Sequence, residues 1–159
     1  MLLTKVTCTY SDIEDRIRMS AMLKEGEPVV FLLTCRLASR LIGALTAHLE
    51  QTVSRSALVD MGLLLSCRQR NAEWQHEPSA PVYSTQNSLR ILPDKVNLAC
   101  SSQSVVLLFP LVDGQQVELQ MSLLELRQWL AIMHRQFKKA NWPMEVWPEW
   151  FTLAESGRN

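Results

Sequence analysis

Val105-Val106-Leu107-Leu108-Phe109-Pro110-Leu111-Val112-Asp113-Gly114 is followed by Gln115-Gln116-Val117-Glu118-Leu119-Gln120-Met121-Ser122-Leu123-Leu124-Glu125. The first run is apolar apart from Pro110, as suits a strand, and the proline belongs at an edge or bulge because it lacks an N–H. Asp113-Gly114 is a hairpin turn signal, since such turns need residues that accept a positive φ. Val117, Leu119 and Met121 then alternate with Glu118 and Gln120, the period of a half-buried strand. Ser122 followed by Glu125 has the spacing of a capping box, in which serine accepts from first-turn amides and glutamate reaches back. The helix that follows runs on Leu126, Trp129 or Leu130, Met133 and Phe137. Arg135, Lys138 and Lys139 complement its negative end, and Asn141 and Pro143 stop it.

The same logic extends towards the N-terminus. Leu2 to Tyr10 reads as a strand. Ile13 to Leu23 reads as a second, with Ile13, Ile17, Met19 and Ala21 on one row, although Asp15 spoils it. Glu14, Asp15, Arg16 and Arg18 give that strand a charged, solvated character. Gly26 turns the chain into the apolar strand Pro28 to Leu33. Thr34 is placed as an N-cap. Leu37, Leu41, Leu45 and Leu49, widened by Ala38 and Ile42, predict an amphipathic helix to about residue 53. A second helix is expected from Ser56 to Trp74, facing inward through Leu58, Met61, Leu64 or Leu65, and Arg68. Pro78, Pro81 and several hydroxyl residues make 77–88 a connecting loop. Short strands are expected at Leu89–Leu92 and Val96–Cys100.

The pattern predicts a single α+β domain over 1–159: an antiparallel sheet with about three helices on one face. Its expected halves are 1–76 and 89–141, followed by an aromatic segment at 142–151. Each half carries a hairpin, a polar cap and a leucine-rich helix. Setting Thr34 on Ser122 aligns Leu41 with Trp129, Ile42 with Leu130 and Leu45 with Met133, which raises an internal duplication of a β-hairpin-helix unit.

Composition narrows function without naming it. The chain has 159 residues, 16 basic and 16 acidic, with 47% hydrophobic residues. Zero net charge argues against a general nucleic-acid binder, whose affinity comes mainly from neutralised phosphates. A nucleic-acid-associated regulator is therefore the third choice, although Arg16, Arg18, Arg36, Arg40, Arg68 and Arg70 raise a basic patch and Arg36 and Arg40 share a helix face. No apolar run reaches the length of a membrane span. The cysteines Cys8, Cys35, Cys67 and Cys100 and the histidines His48, His76 and His134 show no metal-ligand spacing, so neither metal nor cofactor is expected. With no export signal seen, a cytoplasmic location with reduced thiols follows. Phosphate-binding glycine loops, the nucleophile elbow and zinc-protease motifs are missing.

Two sets of residues carry candidate chemistry. Cys35 directly follows the Thr34 cap, where helix-start amides and Arg36 favour a thiolate. It is the one catalytic candidate and gives the alternative function, a thiol-dependent enzyme or redox-sensitive protein. Trp142, Trp147, Trp150 and Phe151 form the candidate partner-binding set, because tryptophan is enriched at interface hot spots. Folding back onto the core is the competing role for the same rings. The leading expectation is a non-catalytic protein-interaction or assembly module whose partner is itself, as a homodimer, or another protein.

Overall fold

The computed structural model describes residues 1–53 and 60–156, with side chains to Ala154. It is a mixed α+β structure whose strands form two sheets. Strands β1 (Leu3–Ser11), β2 (Arg16–Leu23) and β3 (Pro28–Leu33) make an antiparallel meander, and β4 (Leu89–Ile91) adds to β3 in parallel. Strands β5 (Asn97–Cys100), β6 (Ser104–Pro110) and β7 (Gln116–Ser122) make a second antiparallel meander. Helix α1 (Cys35–Gln51) follows β3 and is trailed by α2 (Met61–Trp74). Helix α3 (Leu123–Ala140) follows β7 and is trailed by α4 (Glu149–Ser156).

Local chemistry explains the turns and caps. Gly26 and Gly114 both have positive φ, 96° and 83°, as their hairpins require. Pro110 lies two residues beyond the last β5 rung, Asn97↔Leu108, so its missing N–H breaks no bond to that strand. Leu37 N–H donates to Thr34 Oγ1 at 3.1 Å. At α3 the capping box is complete: Glu125 N–H donates to Ser122 Oγ at 3.1 Å, and Ser122 N–H donates to Glu125 Oε2 at 2.8 Å. Asn141 ends the helix in the left-handed region, φ 55°.

One buried cluster joins both sheets and the helices. The sheets meet through Phe31 and Phe109, whose ring centroids are 4.3 Å apart. Their margins also touch, because Glu118 N–H donates to Met1 O at 2.8 Å. Each meander's helix reaches the other meander. Tyr10 N–H of β1 donates to Gln136 Oε1 of α3 at 2.9 Å. On the other side, His48 of α1 meets Ser101 O, just past β5, at 2.9 Å.

Several sequence expectations need correction. Strand β2 starts at Arg16, and Ile13 stands in a turn, 95% exposed. Ser11, Asp12 and Asp15 all favour turn geometry, which overrides the apparent apolar row. Helix α2 starts at Met61, capped by Asp60, whose Oδ1 accepts from Leu63 N–H at 3.1 Å. Ser56 and Leu58 lie outside the described residues. The buried face of α2 is Leu65, Ser66, Gln69 and Ala72, and Arg68 points to solvent. The chain order repeats a three-stranded meander, a capped helix and a second helix. However, β4 has no counterpart, and the trailing helices differ in length, 14 residues against 8. The duplication is not established.

Helix α3 carries two inward stripes. Leu126, Leu130, Met133 and Phe137 make the expected one. Arg127, Ala131 and His134, spaced i, i+4, i+7, make the other and are also buried. Gln69 Nε2 donates to Arg127 O at 2.8 Å, which ties α2 to this stripe. The Arg127 guanidinium donates through Nη1 to Leu123 O at 3.4 Å, but its Nε and Nη2 have no partner among the described residues. Burial lowers its pKa, and the charge of Arg68 adds to the effect. A buried charge without a counterion is costly, whereas an apolar side chain of similar volume is often neutral or better. Arg127→Met should therefore raise unfolding free energy by about 1–3 kcal/mol in urea titration, and a loss of stability would contradict this account.

Candidate functional site

The aromatic segment packs against α3. After Asn141 reverses the chain, Trp142, Trp147, Trp150 and Phe151 all fold inward and are 2–7% exposed. Trp142 and Trp147 meet the Phe137 ring edge-on, and Trp147 does the same to His134. Phe151 packs on Trp147 with centroids 4.8 Å apart. Helix α4 starts straight after Pro148, a residue that ends one helix but can precede the next. Two indole N–H groups anchor the segment to distant parts of the chain. Trp142 Nε1 donates to Asp15 Oδ1 at 2.9 Å, and Trp150 Nε1 donates to Glu50 Oε1 at 3.0 Å. Rings this deeply buried offer a partner little area, so their observed contacts are intramolecular.

Cys35 occupies the first turn of α1, half-buried, with Sγ 4.0 Å from Ser39 Oγ. Neither its cap nor its recorded contact supplies a general base. Cys8 is fully enclosed, and burial pushes its thiol up to about 12, with the Trp129 indole offsetting this slightly. It therefore stays protonated and unreactive at neutral pH. No cluster of His, Cys, Asp and Glu able to hold a metal occurs among the described residues.

A groove that the sequence did not reveal lies at one end of the four-stranded sheet. Register fixes what meets there. Ile17 pairs with Leu33 and Ser11 with Arg16, so the β1–β2 turn and the end of β3 share that end. Ile91 pairs with Phe31 in parallel, so β4 delivers Leu92, Pro93 and Asp94 to the same place. Helix α1 begins there. Between the start of α1 and Leu92–Asp94 is a cavity of about 350 Å³ lined by Arg36, Leu37, Arg40, Leu92, Pro93 and other residues. It continues through Leu92–Asp94 into a depression of about 590 Å³ bounded by Leu89, Arg90 and the Pro110–Asp113 tip. A narrower cleft of about 170 Å³ leads along α1 to Lys95 and Leu98.

Leu89, Leu92 and Val112 are exposed around this groove, Leu92 by 60%. Arg36, Arg40, Arg90 and Lys95 line it against Asp94 and Asp113, four cations to two carboxylates. Among the described residues none of these six charges forms an ion pair; the pair that does form is Arg18 with Glu14, 3.7 Å apart. The expected basic patch is thus brought together only at Arg36 and Arg40. Arg16 is held at the β1–β2 turn, where its Nη1 donates to the Glu14 and Asp15 carbonyls. Arg68 and Arg70 sit on α2. The apolar members of the groove come from segments remote in sequence, which is why no local motif marks them. In comparisons with protein-family models, curated proteins and solved structures, the chain has no significant match.

Two outcomes follow for the aromatic segment. Burying four large side chains contributes about 2 kcal/mol each, or roughly 8 kcal/mol, against a typical total stability of about 5–15 kcal/mol. Deleting residues 141–159 should therefore abolish cooperative unfolding by circular dichroism, and a deletion that melts as sharply as the full chain would refute the anchoring role. The second outcome concerns Asp15. Hydrogen bonds from Trp142 and then Tyr10 hold its carboxyl below the ordinary aspartate value. A carboxylate with a lowered folded-state pKa contributes stability above its unfolded value, and that contribution disappears as pH falls through the folded value. The Trp142 indole resonance should titrate with a midpoint below about 3.9, the ordinary aspartate value. Asp15→Asn should remove the titration; a midpoint at or above the ordinary value would refute the bond.

Proposed function

We propose that this protein is a non-catalytic interaction or assembly module, and that it works as a homodimer through the groove at the end of the four-stranded sheet. The observation that carries the proposal is the exposed apolar rim of Leu89, Leu92 and Val112 around a groove lined by cations that have no ion-pair partner among the described residues. Contiguous exposed apolar surface rimmed by polar groups marks contact sites, and arginine is enriched in them. The residues lining the groove include no histidine and no cysteine, the side chains most often used for proton transfer and nucleophilic attack near neutral pH. No observation around Cys35 favours thiol chemistry over this reading.

A reducing, cytoplasmic setting fits the four free cysteines, two of which, Cys67 and Cys100, are exposed. Among the described residues no helix is long and apolar enough to cross a membrane. Light scattering should return a mass of twice 18.2 kDa at concentrations of about 10–200 µM, the range suited to a micromolar homodimer. A mass that stays at 18.2 kDa across that range would overturn the homodimer.

A further inference from the structure

We infer that a second copy of this chain occupies the groove with its Asp12–Asp15 turn, and that the two copies exchange these turns reciprocally about a two-fold axis. This inference rests on the proposed self-association and names the contact that would produce it.

The turn presents an unusual knob. Ile13 stands at its apex, 95% exposed, where small polar residues or glycine are the common choice. The backbone beneath it is held in place. Ile13 N–H donates to Asp12 Oδ1 at 3.0 Å, and Glu14 N–H donates to Ser11 Oγ at 3.4 Å. Asp15 takes up the left-handed conformation, φ 48°, and its carboxylate accepts from Tyr10 Oη and Trp142 Nε1. A knob ordered before binding loses little entropy on docking.

Chemistry matches knob to groove. Ile13 is an apolar side chain flanked by acids, and the groove has Leu37, Leu92 and Pro93 beside Arg36 and Arg40. Glu14 pairs with the Arg18 side chain and Asp15 accepts from the Tyr10 and Trp142 side chains, whereas Asp12 accepts through Oδ1 from the backbone of Ile13 and pairs with no side chain among the described residues, so Asp12 is the carboxylate that faces a cation from the other copy. Geometry then selects the symmetry. The register Ser11↔Arg16 and Ile17↔Leu33 puts the turn at the same end of the sheet as the end of β3 and the start of α1, whose residues line the groove. Knob and groove at one end of a molecule can be satisfied twice by a single two-fold axis, which closes the assembly at two copies.

The test is the mass and dissociation constant of purified full-length variants by light scattering and sedimentation. An anchor of hot-spot size, made twice per dimer, predicts that Ile13→Asp weakens dimerisation by about 10³-fold. Asp12→Lys and Arg40→Glu should each weaken it too, whereas the double variant Asp12→Lys/Arg40→Glu should regain the dimer, an outcome that misfolding cannot imitate. Melting curves of the exposed-site variants should match the wild type. A wild-type dimer that survives Ile13→Asp and Arg40→Glu would overturn this docking while leaving self-association intact. A monomeric wild type would overturn both.

Discussion

Two indole-to-carboxylate hydrogen bonds hold the molecule closed. Trp142 reaches back to Asp15 in the β1–β2 turn, and Trp150 reaches Glu50 near the end of α1. Trp147, between these anchors, and Phe151, just past the second, lie against His134 on the second stripe of α3. That stripe includes the polar residues Arg127 and His134, which water would solvate if it were open, so the cover is favoured by burial of the aromatic rings and not by the stripe itself. The segment supplies the cover at the α4 end, while α2 supplies it near Arg127 through Gln69. Charge-assisted hydrogen bonds are the stronger kind, so two of them position the aromatic area while burial supplies most of the energy.

The sheets add a second constraint. Each meander is short, and neither could bury a complete core alone. The structure resolves this by exchange: α3 packs on β1, and α1 runs beside β5, with Phe31 stacked on Phe109 between them. Strand β4 then joins β3 in parallel and pulls Leu92–Asp94 up to the start of α1. The groove is a by-product of that crossing. It lies where two strand ends, a helix start and a hairpin tip converge, and among the described residues no fifth element fills the space.

What the sequence revealed was local. The Ser122–Glu125 box, the Thr34 cap, the Asp113-Gly114 turn and the strand Pro28–Leu33 each rest on residues within a few positions of one another, and each is present as expected. So is the full leucine stripe of α1. The failures share a different cause. The parallel pairing of β4 depends on residues about sixty positions away. The second stripe of α3 is partly polar, so hydrophobic periodicity passes over it. Helix α4 is hidden because Pro143 and Pro148 argue against a regular helix through the middle of the aromatic segment, whereas the helix starts just after Pro148. Of the site, Arg36 and Arg40 were legible as one helix face, but Leu89, Leu92 and Val112 become neighbours only through the tertiary fold. Ile13 was misplaced because a single apolar residue matched a row that Asp15 had already broken.

Asp15 connects the closed interior to the exposed end. In a strand it would be an intrusion; in the turn its left-handed backbone and its carboxylate have separate uses. The backbone bends the chain so that Ile13 projects. The carboxylate accepts from Tyr10 on the same hairpin and from Trp142 on the C-terminal segment. The knob is therefore braced by the same contact that closes the core, and Arg16 braces it from the other side through two backbone carbonyls. An exposed isoleucine on a mobile loop would cost entropy whenever it docked. On a turn tied into the core, that cost is met when the chain folds, and the apolar side chain of Ile13 is left 95% exposed.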